Sequence, residues 1–135
     1  MPSYQHGTVW SHEWSPSNPD GSIDTQFVLS QFASQGYIVI SAVYFGVTPG
    51  SELPNSCCVN KSTVQACSDM LTVSGQFLKQ KNITPGKLFL DGWSQGGFST
   101  NLFLEHLQEQ NVPVEAVVTA SGPSDPFLYV SKLPS

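Results

Sequence analysis

The sequence predicts an α/β domain, a three-layer sandwich with a parallel central sheet of about four strands. Three observations carry this. Short apolar runs rich in β-branched residues, such as YIVISAV at 37–43, lack polar alternation, which marks strands buried on both faces. Longer segments between them repeat apolar residues at helical spacing. The two kinds alternate as β-α-β-α-β-α-β, and that order builds a parallel sheet with helices on its faces. At 135 residues the chain makes a single domain over 1–135, and no repeat or linker divides it.

The elements follow in order. SYQHG at 3–7 ends a first strand. VWSHEWSPSNPDGS is a loop rich in Ser, Pro, Asn and Gly, of a length that often carries function. Ser22 or Asp24 caps a helix over 24–35, with Phe27, Val28, Gln31 and Phe32 on one face and Gly36 as its stop. The 37–43 run is the second strand, followed by the Gly- and Pro-rich loop YFGVTPGSELPNS. Ser62 or Thr63 opens a helix over 63–80 whose stripe is Val64, Cys67, Met70, Leu71, Val73 and Leu78. NITPG stops it, and KLFLD at 87–91 is the third strand. Gly96 to Gln110 reads as a helix carrying Phe98, Leu102, Phe103 and Leu107. VEAVVTAS at 114–121 is the fourth strand, and GPSDPFLYVSKLPS after it is irregular or begins another helix.

Composition excludes some partners. Charged residues make up 11% of the chain, the formal net charge is -5, and the five Lys and Arg are scattered. Phosphate binding needs clustered cations, so nucleic acid and anionic membrane surfaces are poor partners. No apolar run reaches the ~18 residues of a membrane span. MPSYQHGTVW lacks the basic and apolar regions of a signal peptide. Cys57, Cys58 and Cys67 fit no familiar zinc spacing. A disulfide from Cys67 to Cys57 or Cys58 would leave one odd thiol, and the alternative is three reduced cysteines. Low charge and such a disulfide favour a secreted or periplasmic location over a cytoplasmic one. Asn60 in NKS and Asn82 in NIT match the glycosylation pattern, which matters only in a eukaryotic secretory host.

The chemistry concentrates in LFLDGWSQGGFST at 88–100. Loops at the carboxyl ends of parallel strands hold ligands in such sheets, and Ser94 lies in one. In Gly92-Trp93-Ser94-Gln95-Gly96 the glycines allow a sharp strand-to-helix turn, because residues two before and two after the serine pass close together. The helix that begins there directs free N–H groups at a developing anion. An oxyanion site needs two N–H groups aimed at one point. Gln95 supplies one, and Thr8 or a neighbour in QHGTVW supplies the other, with Gly7 letting that loop approach closely.

QHGTVW resembles the His-Gly oxyanion loop of the α/β-hydrolases, of the carboxylesterase and secreted-lipase kind, and GWSQGG resembles their nucleophile elbow. The resemblance covers nearly the whole chain. It implies an eight-stranded sheet of which this chain carries the third to sixth strands, a truncated α/β-hydrolase fold. Val43 stands where many relatives have an acidic residue, a departure that bears on packing rather than chemistry.

The resemblance implies a serine hydrolase acting on carboxylic esters through an acyl-enzyme on Ser94, with no cofactor and no metal. The alternatives are a serine peptidase of the same fold and a non-catalytic binding module. The family order is Ser, then Asp or Glu, then a His after the last strand. None of the three histidines lies there. His106 sits on the helix that follows Ser94, about 18 Å along its axis at 1.5 Å per residue. His6 is structural in the oxyanion loop, which leaves His12 as the local candidate base and Asp125 as the candidate acid. Asp91 supports the turn, and Asp20 and Asp24 read as loop and cap residues. Trp10, Trp14, Tyr44, Phe45 and Trp93 fall on loops of one edge; Trp10, Trp93 and Tyr44 are the candidate substrate contacts. Open sheet edges favour a homo-oligomer.

Overall fold

The computed structural model describes residues 1–125 and Ser131. Four parallel strands form one sheet: β1 Pro2–Gln5, β2 Ile40–Ala42, β3 Phe89–Trp93 and β4 Ala116–Ala120, in the spatial order β2-β1-β3-β4. Three helices connect them, α1 Ile23–Gln31, α2 Asn60–Gln80 and α3 Gln95–Glu109, with short 3-10 turns at His12–Trp14 and Ala33–Gln35. No helix among the described residues is long and apolar enough to cross a membrane.

Strand alternation assigns the layers. Tyr4 pairs with Asp91 and Asp91 with Val118, so these share one face. The Tyr4 hydroxyl donates to Asp24 of α1 at 2.7 Å, which places α1 on that face. Gln5 and Leu90 point the other way. Gln5 bonds Thr100 of α3 at 2.9 Å, and Leu90 packs with Phe103, Leu107, Cys67 and Ala66 in the main core. α2 and α3 therefore cover the second face side by side, and the predicted three layers are present.

Several boundaries differ from expectation, for physical reasons. The second strand shrinks from 37–43 to Ile40–Ala42, because it is an edge strand and its one partner, β1, pairs with it only over Ser3–Gln5. The third shifts to Phe89–Trp93, since β1 and β4 both extend its ladder through Gly92. The fourth narrows from 114–121 to Ala116–Ala120, the residues that pair with Phe89–Trp93, and its Val118 is 64% exposed. The helix expected over 24–35 breaks after Gln31 into a 3-10 turn, and Ser22 caps it by accepting from Thr25 N–H at 3.2 Å. Its expected apolar face is not buried as a unit: Val28 is, while Phe27 is exposed. α2 starts at Asn60, a turn before the predicted caps, and Val73 lies off its buried stripe. Val43 packs against the main core, as a side chain without charge can. The predicted disulfide is not formed. All three cysteines are free, and Cys67 faces the core from α2. The continuation after β4 lies outside the described residues from 126 to 130 and beyond Ser131.

Candidate active site

From β1 the chain moves outward to β2, then crosses back to β3 and continues to β4. The order reverses between β1 and β3, and at such a switch point the loops leaving two adjacent strands diverge and open a crevice. The loop after β1 holds His6, Gly7 and Thr8, and the turn after β3 holds Ser94. Their approach is close: a Cβ on Gly7 would sit 3.3 Å from Trp93 Cδ1 and 3.4 Å from Trp93 O.

Ser94 occupies φ 55°, ψ -121°, strained for a residue with a side chain, and α3 starts directly after it. Its N–H donates to Ala120 O at 2.9 Å, and its carbonyl accepts from Gly97 N–H at 2.9 Å. The turn is therefore clamped between β4 and the first turn of α3. The glycines are required by contact. A Cβ on Gly96 would fall 1.8 Å from Gln5 O, and one on Gly92 would fall 2.3 Å from Gly96 O. As the first residue of α3, Gln95 has an N–H with no carbonyl to bond within the helix.

The β1 loop is held on three sides. His6 is 1% exposed, and its ring stacks on Tyr44 with centroids 4.1 Å apart. Its Nδ1 lies 2.7 Å from Gly7 O and must donate, because a carbonyl only accepts. Burial holds the His6 pKa below the ordinary imidazole value, so the ring is neutral and Nε2 is left as an acceptor with no partner among the described residues. The Gly7–Thr8 peptide is trans and planar, so turning Gly7 O toward His6 turns Thr8 N–H the opposite way. Gly7 N–H donates to Asp24 Oδ2 at 3.2 Å, and Tyr44 OH donates to His6 O at 3.2 Å.

The predicted site residues divide accordingly. The turn that holds Ser94 and Gln95 meets the loop that holds Gly7 and Thr8 at the switch point, through Trp93 against Gly7 and Gly96 against Gln5, and the Gly7 N–H is taken by Asp24. Trp93 and Trp10 are exposed at the same edge, at 55% and 84%. Tyr44 is corrected: at 1% exposure it cannot line a substrate pocket, and it braces His6 instead. His12 is exposed on the 3-10 turn, and no hydrogen bond joins it to Ser94 among the described residues. Asp125 is exposed in the loop after β4, three residues past Gly122, whose Cα would lie 3.0 Å from a Cβ on Gly97. His106 is on α3, within its last turn. A cavity of about 230 Å³ opens beside the β1 loop, lined by Thr8, Val9, Trp14, Pro16 and Ile23. Among the described residues no cluster of His, Cys, Asp or Glu can hold a metal ion.

Asp24 is the residue that sequence reading misplaces. It reads as a helix cap, and its contacts with Tyr4 and Gly7 arise only when α1 folds onto β1. Asp91, half-buried on the same face, has its pKa raised by that burial.

Comparison with known proteins bears on the fold and the family. Solved structures share the fold. A candidate hydrolase from Legionella pneumophila subsp. pneumophila superposes with a TM-score of 0.82 at 28% identity, over 93% of this chain and 34% of that one. The rice cell wall degrading esterase LipA of Xanthomonas oryzae, in a ligand-bound form, superposes at 0.73 with 20% identity, over 90% and 33%. The chain thus spans about a third of the length of these structures. No curated protein matches it. The fold is that of the α/β-hydrolases, and residues 23–132 match the model of the prolyl oligopeptidase family, Peptidase_S9. The chain belongs to the prolyl oligopeptidase family.

Proposed function

We propose that this chain carries the nucleophile and oxyanion site of a serine hydrolase that acts on carboxylic esters through an acyl-enzyme on Ser94. The observation that carries the reading is the juxtaposition of Ser94, on its strained turn at the start of α3, with the Gly7–Thr8 loop across the switch point. Ser94 Oγ attacks the carbonyl carbon of the ester, and the carbonyl oxygen becomes an oxyanion held by Gln95 and Thr8 N–H groups. Collapse breaks the acyl–oxygen bond, the alcohol leaves with the proton that Ser94 gave up, and water then cleaves the acyl-enzyme to the acid and returns a proton to Ser94 Oγ. The exposed Trp93 and Trp10 and the cavity beside the loop offer apolar surface to the acyl or alcohol group.

The general base is the weak point. His6 is buried and bonded to Gly7, and His106 is far along α3. His12 is exposed on its 3-10 turn, and no hydrogen bond joins it to Ser94 among the described residues. A serine without its base keeps about 10³–10⁴-fold rate enhancement from the oxyanion site and binding, so slow turnover is the expectation for this chain alone. The family's description favours a second reading, a peptidase of the same fold. The esterase among the fold's solved structures favours the first.

Labelling with a fluorophosphonate tests the nucleophile, with Ser94→Ala as control. Absence of Ser94-dependent labelling in folded protein would sink the enzyme reading. Equal concentrations of an ester and the matching amide then separate the two substrates.

A further inference from the structure

The oxyanion loop has two neighbouring N–H groups that could serve an anion, those of Gly7 and Thr8, and the structure treats them differently. Gly7 N–H donates to Asp24 Oδ2 at 3.2 Å. Thr8 N–H makes no hydrogen bond among the described residues. The other oxygen of the same carboxylate, Oδ1, accepts from the Tyr4 hydroxyl at 2.7 Å. Tyr4 is 5% exposed on β1, a strand paired on both sides, so Asp24 is anchored to the interior of the sheet.

We propose that Asp24 is a positioning residue of the oxyanion site: its carboxylate bridges Tyr4 of β1 and the Gly7 N–H, and so leaves Thr8 N–H as the loop's single donor to the substrate. This rests on the reading of Ser94 as nucleophile. The loop is then fixed at both peptide groups of Gly7. Asp24 holds the N–H side, and the His6 ring holds the carbonyl side at 2.7 Å. A planar peptide pinned at its carbonyl cannot swing its N–H, so the Thr8 donor is oriented before substrate arrives. Preorganisation of that kind is what makes an oxyanion site effective, because no reorientation is needed as charge develops. Asp24 also places a negative charge on the Gly7 side of the loop. An anion is therefore disfavoured there and confined to the Thr8 side.

The test measures phosphonylation of Ser94 in the whole chain by a fluorophosphonate, separating the maximal rate from the probe's apparent affinity. Asp24→Ala should lower the maximal rate by roughly 10- to 100-fold and leave the apparent affinity unchanged, somewhat less than the loss seen on deleting an oxyanion donor outright. Asp24→Asn should restore the rate to within about threefold, since its carbonyl can accept from Gly7 and its amide can donate to the Tyr4 oxygen. Tyr4→Phe keeps the Gly7 contact but removes the anchor on the other carboxylate oxygen, so it should lower the maximal rate by about 3- to 10-fold, between Asp24→Asn and Asp24→Ala. A role in folding alone would not give a rate loss at constant affinity with rescue by Asn.

Should Asp24→Ala not fold, ¹⁵N NMR of the unmodified protein decides. On phosphonylation the Thr8 and Gln95 amide protons should move downfield, while Gly7 stays in place and protected from exchange. Equal labelling rates for Asp24→Ala and the parent chain, or a Gly7 shift in place of the Thr8 shift, would overturn the proposal and leave Ser94 as nucleophile. Absence of Ser94 labelling in the parent chain would overturn both.

Discussion

Replacing Gly96 by alanine is the sharpest perturbation the structure offers. The new Cβ would stand 1.8 Å from Gln5 O, 2.7 Å from Gln5 C and 2.9 Å from His6 O. A carbon rests about 3.3 Å or more from a carbonyl oxygen, so α3 and the end of β1 must part by roughly 1.5 Å. All three colliding atoms are backbone, and no side-chain rotation relieves them. Overpacking costs about 1–3 kcal/mol, and a collision with fixed backbone belongs at the top of that range. With a urea m-value of about 1.5 kcal/mol/M, a loss of about 3 kcal/mol lowers the midpoint by about 2 M. The same movement separates the β1 loop from the Ser94 turn, so fluorophosphonate labelling should fall even below the transition. Gly75→Ala is the control. Gly75 lies within α2 with nothing within 4 Å of the added carbon, and the change should raise stability by about 1 kcal/mol. Circular dichroism during urea titration reads both. A Gly96→Ala midpoint within about 0.3 M of the parent chain would refute the close-packed elbow.

Three further outcomes follow from other parts of the molecule. Burial lowers the His6 pKa, so as pH falls below about 6.5 the unfolded chain takes up a proton that the folded chain resists. Stability should therefore drop from there down through the folded pKa, with His6→Gln removing that part of the slope; urea midpoints that fall in parallel for the two chains would contradict it. Burial pushes the Cys67 thiol up to about 12, and burial with the adjacent Cys58 pushes Cys57 up to about 11. A disulfide-exchange reagent at neutral pH should thus reach Cys67 only on unfolding, and a single native rate for all three thiols would speak against the core placement. Lastly, among the described residues β4 has a neighbour on one side only and exposes Val118, which favours pairing with a second copy. Val118→Lys should lower self-association in sedimentation velocity, whereas a parent chain that stays monomeric at every concentration removes the basis for it.

The sequence by itself determined the order of elements, the layering and the glycine-flanked turn that carries Ser94. These are legible because they rest on local chemistry: β-branched runs, helical spacing, and glycines two residues on either side of Ser94. The His-Gly loop was legible for the same reason. Strand ends were not, because a strand stops where its partner stops. β2 keeps three residues since Ser3–Gln5 of β1 are the ones that pair with it, whatever the propensity of Tyr37 to Val39. The exposure of Val118 on β4 was not legible either, because an apolar run does not reveal that it lies at a sheet edge. Tyr44 reads as a loop aromatic, yet the turn after β2 folds it under His6, where it braces rather than binds. Asp24 reads as a cap and becomes a bridge between Tyr4 and Gly7. Both depend on contacts between residues distant in the chain, and only the packing of α1 and β2 around β1 brings those residues within hydrogen-bond and stacking range.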